Sequence, residues 1–208
     1  MKDGYTHICL VVDRSGSMYN IVGDMNGAIK QMMKDQAEQP GHCLVDVITF
    51  DTVVDVVHDN AYPGDITEDV IEPRGSTALN DAIGLGIMRM GNKFRLMPEE
   101  ERPENVVFVI VTDGMENASQ EYTNLQVKRL VEQQTNQYNW TFLYLAANVD
   151  AFATGRGYGF NDSMVLQYGA NAQGAGASFA AASAGVTRTR SGLDANFTDA
   201  EREAAEGK

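Results

Sequence analysis

Ile8-Cys9-Leu10-Val11-Val12-Asp13-Arg14-Ser15-Gly16-Ser17 decides the fold. Five consecutive apolar residues cover both faces of a β-strand, and such a strand belongs in the middle of a sheet flanked by helices on both sides. A carboxylate and two hydroxyls, Asp13, Ser15 and Ser17, stand where that strand ends and a helical pattern begins. Open parallel α/β sheets bind their ligands in the crevice beyond the strand carboxyl ends. Alternate residues of an extended or tightly looped backbone can turn their oxygens into one space, and oxygens gathered in this way suit a hard divalent cation.

Outward from this stretch, Ile21, Val22, Met25, Ala28, Ile29, Met32 and Met33 recur at helical spacing until Pro40-Gly41 stops them. Residues 42–50 form a second apolar run, and Asp51-Thr52 turns into a third strand at 53–57, expected to lie antiparallel at a sheet edge. Residues 59–76 are turn-rich and acidic. A helix follows from Ala78, with Ser76 or Thr77 expected as its N-cap. The charged stretch 97–103, bounded by prolines, reads as a solvated loop. Asn105 to Val111 is the most uninterrupted apolar run of the chain and closes on Thr112-Asp113-Gly114, so a second buried strand ends in a carboxylate. A helix at 122–138, a strand at 140–147, a short helix at 150–158 and a last strand at 163–168 complete the alternation. Strands alternating with helices predict a mostly parallel six-stranded sheet with one antiparallel edge strand, helices on both faces and right-handed crossovers.

The stretch 169–186 is almost entirely Ala, Gly and Ser and reads either as a flexible linker or, the favoured reading from Phe179, Val186 and the alanine spacing, as a thin helix lying close on the sheet. Its small side chains interlock little, so it is expected to shift along its axis more easily than a Leu-rich helix. Residues 1–190 are read as one domain. Residues 191–208 are read as a C-terminal tail with a short helix, signalled by the capping box of Thr198 and Glu201.

The chain has 208 residues, 43% of them hydrophobic and 22% charged, which suits one globular domain with a full core. Sixteen Lys and Arg against 29 Asp and Glu give a formal net charge of −13, a field that repels phosphate backbones and anionic membranes. Direct nucleic-acid and membrane partners are therefore not expected. Cys9 and Cys43 each sit inside an apolar run and read as buried, reduced thiols, which points to the cytoplasm. The N-terminus lacks a secretory pattern, and no apolar stretch approaches the roughly 20 residues that cross a bilayer.

Asp13-Arg14-Ser15-Gly16-Ser17 resembles the Asp-x-Ser-x-Ser motif of von Willebrand factor A domains. Thr77 and Asp113 stand in the order and context of that family's two remaining ligand positions, and the resemblance spans residues 5–190. It implies a Rossmann-like fold carrying a metal-ion-dependent adhesion site, of the stand-alone intracellular kind known from bacteria and their viruses. Ser15, Ser17 and Thr77 would then coordinate Mg²⁺ (or Mn²⁺) through hydroxyls, and Asp13 and Asp113 directly or through water. Such an ion takes six oxygens at about 2.0–2.1 Å and commonly keeps waters, so an Asp or Glu of a protein partner can replace one. Arg14, Met115, Glu116 and Asn117 flank the site and are the candidates for partner selectivity. By analogy with such domains, the partner could be an AAA+ ATPase or another subunit of a complex. A component of an RNA-protein particle is a further alternative.

Enzymatic readings fare worse. Ser15 replaces the second aspartate that a phosphatase of the haloacid dehalogenase type uses as acid and base. It also has no neighbouring His and no Gly-x-Ser-x-Gly frame. His7, His42 and His58 read as strand-end or edge residues. Gly155-x-Gly157-x-Gly159 lacks the lysine of a phosphate-binding loop. A Mg²⁺-dependent phosphoester hydrolase is the remaining enzyme alternative, and no intrinsic enzyme is expected.

Overall fold

The computed structural model describes residues 1–147 and 150–207. Its strands are β1 (Lys2–Asp13), β2 (His42–Phe50), β3 (Val54–Ala61), β4 (Pro103–Thr112), β5 (Thr141–Ala146) and β6 (Val165–Gln167). Its helices are α1 (Val22–Glu38), α2 (Leu79–Arg95), α3 (Asn124–Tyr138), α4 (Ala151–Gly157), α5 (Ala172–Arg190) and α6 (Asp199–Glu206). The six strands form one sheet in the order β3-β2-β1-β4-β5-β6. Every pairing is parallel except β2 with β3, so the hairpin expectation at the edge holds.

Period-two alternation of the central strands makes two cores. Ile8, Leu10 and Val12 of β1 join Met25, Ile29 and Met33 of α1 and Phe179 and Val186 of α5 on one face. Cys9 and Val11 join Ile83, Ile87 and Met90 of α2 and Val127 and Val131 of α3 on the other. This is why the middle of the sheet reads as an unbroken apolar run: neighbouring residues serve opposite layers, and neither layer meets water. Chain order reverses about β1, which sends the chain to β2 on one side and later to β4 on the other. The crevice at the carboxyl ends of β1 and β4 is thus the topological switch point.

The N-cap expectation differs from the structure, while the two C-terminal helices form as read and are tied to the rest of the fold. α2 begins at Leu79 behind Ala78, without a side-chain N-cap from Ser76 or Thr77. α5 does form, but it is tied to α1: Gln36 Nε2 donates to Ser183 O and Oγ (both 3.0 Å) and Thr187 Oγ1 (3.1 Å). Arg190 donates to Gln36 O and Pro40 O, both at 2.8 Å. These bonds would have to break for α5 to slide, so its small residues bring it close without leaving it loose. Residues 191–207 carry the short helix read for them and pack on the domain. The capping box of Thr198 and Glu201 starts α6, Phe197 and Ala205 join the core, and Gly169 N bonds Ala205 O at 2.9 Å.

Among the described residues no helix is long and apolar enough to cross a membrane. Cys9 and Cys43 are free and buried. His7 is not a strand-end residue: it is fully buried and bonded to Asp46 at 2.9 Å, because a polar ring inside a sheet needs a partner.

Candidate functional site

Beyond the carboxyl end of β1 the chain tightens into a 3-10 turn, Gly16–Asn20. Asp13 is fully buried and closes the strand from within. Its Oδ1 accepts from Ser15 N at 2.7 Å and its Oδ2 from Thr112 Oγ1 at 2.6 Å. The first bond holds the loop to the strand, and the second links β1 to the end of β4. Ser15 Oγ and Ser17 Oγ lie 3.0 Å apart, and Ser17 Oγ donates to Asp113 Oδ1 at 2.6 Å. A chain of oxygens thus runs from the first loop to the fourth strand.

Thr77 arrives from a third segment that backbone bonds stitch to the other two. Gly16 N bonds Gly75 O at 3.2 Å, Arg74 N bonds Arg14 O at 2.8 Å, and Asn117 N bonds Thr77 O at 3.0 Å. Gly114 measures the convergence. A Cβ added there would lie 3.1 Å from Thr77 Oγ1 and 3.8 Å from both Asp13 Oδ2 and Ser17 Oγ. One methyl group on the loop after β4 would therefore fill a cradle lined by oxygens from the other two segments. Asp13, Ser15, Ser17, Thr77 and Asp113 are brought together at the switch point, with Ser17 exposed on the solvent side.

Two carboxylates and three hydroxyls form an all-oxygen donor set that fits a hard divalent cation. Among the described residues no group of three or more His, Cys, Asp or Glu could hold a metal ion, so hydroxyls must complete any coordination here. The electrostatics also favour a cation. Burial pushes the Asp13 carboxyl up to about 6; its bonds from Thr112 and Ser15 temper that rise, and the nearby Asp113 charge adds to it. Burial raises Asp113 as well, tempered by Ser17. Gly114→Ala is accordingly expected to leave the fold intact and lower divalent-metal affinity at least tenfold, roughly 1.4 kcal/mol, in a titration calorimeter.

The flanking residues have other duties than those expected of them. Arg14 is buried, not on the rim. Its Nε donates to Asp51 Oδ2 at 2.7 Å and its Nη1 to Thr49 Oγ1 at 2.9 Å, while Nη2 reaches Asp55. Arg74 Nε joins the same Asp51 oxygen at 2.8 Å. Burial alone would raise Asp51, yet bonds from Val53 N, Arg74 and Arg14 hold it below the usual carboxylate range. Glu116 is also committed. It accepts from Asn80 N at 2.8 Å, Ala118 N at 2.9 Å, Ser119 N at 2.8 Å and Ser119 Oγ at 2.6 Å, and so caps α2 from a distant loop. Asn117 is exposed, but its Oδ1 accepts from Thr77 N at 2.9 Å and positions that ligand. Thr112 was missed as a site residue; a hydroxyl directly before Asp113 was its signal.

No protein-family model and no curated protein sequence matches the chain. Solved structures do resemble it. Proximal thread matrix protein 1 from the mussel byssus, with a zinc-occupied MIDAS motif, is 16% identical and superposes with a TM-score of 0.55 over 83% of this chain and 43% of that one. A von Willebrand factor type A structure from Catenulispora acidiphila is 16% identical, with a TM-score of 0.60 over 89% of this chain and 43% of that one. The manganese-loaded Plasmodium vivax TRAP protein is 13% identical, with a TM-score of 0.62 over 86% and 73%. The chain spans less than half the length of the first two. Switch-point topology, antiparallel edge strand and these superpositions agree that the chain has the von Willebrand factor A-like α/β fold.

Proposed function

We propose that this chain is a metal-dependent protein-binding module and not an enzyme. The observation that carries the reading is the convergence of Asp13, Ser15, Ser17, Thr77 and Asp113 on one cradle at the switch point. Mg²⁺ or Mn²⁺ held there would supply an electrophilic centre with a coordination position for a carboxylate from outside. The solved relatives named with zinc at a MIDAS motif and with manganese support a divalent ion of this kind.

The chain's own residues shape what that centre can do. Three of the five ligands are neutral hydroxyls, so two carboxylates alone offset the ion's charge and leave it attractive to an acidic partner. Asp13 fixes the loop through Ser15 N and locks β1 to β4 through Thr112. Asn117 and Glu116 set Thr77 and the start of α2. No histidine stands on the loops that carry the oxygens, and Asp13 is fully buried with both carboxylate oxygens bonded to Ser15 N and Thr112 Oγ1, which favours binding over phosphoester hydrolysis. The charge of −13 favours a protein over RNA. A cytoplasmic setting, and a partner such as an AAA+ ATPase or other complex subunit, belong to the same proposal.

Affinity capture from host lysate tests it, run in parallel with Mg²⁺, with EDTA and with Asp13→Ala. A protein retained only by intact site and metal is the expected result. Retention unaffected by EDTA and by Asp13→Ala, or phosphoester hydrolysis that needs both, would overturn the reading.

A further inference from the structure

At the end of the sheet opposite the oxygen cradle, the carboxyl ends of α2 and α3 and the amino ends of β4 and β5 border a cavity of about 540 Å³. The ten residues of β4 separate it from the cradle, about 30 Å at the rise of a strand. Ile87, Phe94, Val106 and Trp140, all buried, make an apolar floor. Met88 and Tyr138 stand at the mouth, 43% and 59% exposed. The Trp140 ring is held from two sides, edge-on to Phe94 with centroids 6.0 Å apart and stacked on Phe108 at 5.5 Å. A concave, largely apolar space of this volume suits a small molecule.

The polar groups of the cavity are donors that lack acceptors. Trp140 is 8% exposed, yet its indole N–H donates to nothing among the described residues. A buried Trp ordinarily finds a partner for that group. Its nitrogen is not among the sealed, unsatisfied atoms of the interior, so it opens on the cavity that the ring lines. The Arg95 guanidinium, in the last turn of α2, makes no ion pair or hydrogen bond, and Arg102 uses only its Nε, on Met97 O at 3.1 Å. Acids outnumber Lys and Arg 29 to 16 in this chain, but both of these arginines are without a carboxylate. Of the two acids that share the lining, Glu104 accepts from Gly4 N at 2.7 Å and Glu99 pairs with neither arginine.

Free donors beside an apolar floor call for a ligand with an apolar body and acceptor oxygens. We propose that the cavity binds a small aromatic carboxylate. Its ring lies on the floor of Phe94 and Trp140, where contact between aromatic rings adds to the area buried. Its carboxylate accepts from the Trp140 N–H and from the two guanidinium groups, whose planar forks match its geometry. No metal takes part, so the cavity and the cradle bind independently.

Trp140 is the only tryptophan of the chain, so its fluorescence reads the cavity directly. Sodium 3-phenylpropionate is titrated into the full chain, with 3-phenylpropanol as the uncharged counterpart and calorimetry as the second readout. The acid is expected to bind roughly tenfold more tightly than the alcohol and to change the Trp140 emission. Gly91 faces the cavity from α2, where an added Cβ meets nothing within 4 Å. Gly91→Leu is expected to fill the mouth and weaken binding of the acid at least about tenfold. Thermal unfolding of that variant should stay at or above the parent value, because leucine is the better helix former. Arg95→Gln should narrow the preference for acid over alcohol without changing the fold. Equal affinity for acid and alcohol, an affinity that Gly91→Leu leaves unchanged, or no response to millimolar acid would overturn the proposal. A response that EDTA abolishes would move the acid to the cradle and overturn it as well.

Discussion

Asp46→Ala is expected to cost about 3–5 kcal/mol, the range for removing one partner of a buried ion pair. Asp46 is fully buried in the middle of β2. It accepts from His7 Nε2 at 2.9 Å, from Lys93 Nζ at 2.8 and 2.6 Å, and from Asn60 N at 3.0 Å. The last bond holds the irregular register between β2 and β3, where Asn60 adopts a positive φ of 53°. Alanine would strand the His7 ring, already bonded on its other side to Tyr5 at 3.0 Å, beside an ammonium group that keeps Asp59 alone as its counter-charge, at 2.6 Å. Burial alone would raise the Asp46 carboxyl, but bonds from His7, Lys93 and Asn60 N hold it well below the usual range. A depressed folded-state value means that its stabilisation is complete above the unfolded carboxylate range and is lost as pH falls below about 4. Urea unfolding should therefore show the gap between parent and variant at pH 7, narrowing below pH 4. A gap under about 1 kcal/mol at pH 7 would show that the network is not worth its burial.

This network also shows where sequence reading stopped. The apolar runs at 8–12 and 106–111 disclose central strands because each position must satisfy one of two dry layers, and their short length and β-branched content set them apart from a buried helix. Four of the five candidate oxygen ligands are legible for a related reason: Asp13, Ser15, Ser17 and Asp113 follow the ends of β1 and β4, where chain direction alone puts them on one edge, whereas Thr77, on the loop before α2, rests on the resemblance. Partners across the sheet are a different matter. His7 and Asp46 are 39 residues apart, and which face each presents depends on the register of β1 against β2. The usable signal was Asp46 itself, a charge inside the run Cys43–Phe50 that could not be buried alone. Arg14 misled for the same reason. Its position inside the motif places it beside the metal site, yet its partners Asp51 and Asp55 come from the turn after β2 and from β3, 37 and 41 residues away. Glu116 caps a helix through the amide of Asn80, 36 residues earlier in the chain. Local patterns predicted which elements form; long-range pairing decided which polar side chains remained free for a partner.

Asp13→Asn is expected to make the metal-free protein more stable while abolishing its response to metal. In the absence of a cation, Asp13 is a fully buried carboxylate close enough to a second one, Asp113, for that charge to raise it further. Its rise from 3.8 to about 6 makes the ionised form costly. A shift of roughly two units corresponds to about 3 kcal/mol above pH 6, relieved as pH falls through 6 toward 4. Asparagine keeps the shape and removes the charge. Its Oδ1 can still accept from Ser15 N, and its Nδ2 can donate to Thr112 Oγ1, which can turn its own proton to Gly114 O, 3.2 Å away. Thermal unfolding in EDTA at pH 7.5 should place the variant above the parent. The difference should shrink toward pH 5, and His7 cannot account for that trend because both proteins carry it. Saturating Mg²⁺ should reverse the order: an ion at about 1,000 times its Kd adds roughly 4.1 kcal/mol to a protein that binds it and nothing to one that does not, more than the strain of about 3 kcal/mol. A parent already as stable as Asp13→Asn in EDTA would mean that the two carboxylates share their site without strain. The cradle would then have no electrostatic need of a cation. The opposite crossing, metal-free strain exchanged for metal-bound stability, is what a site built to bind an ion must show, because the oxygens that recognise the ion are the ones that repel each other without it.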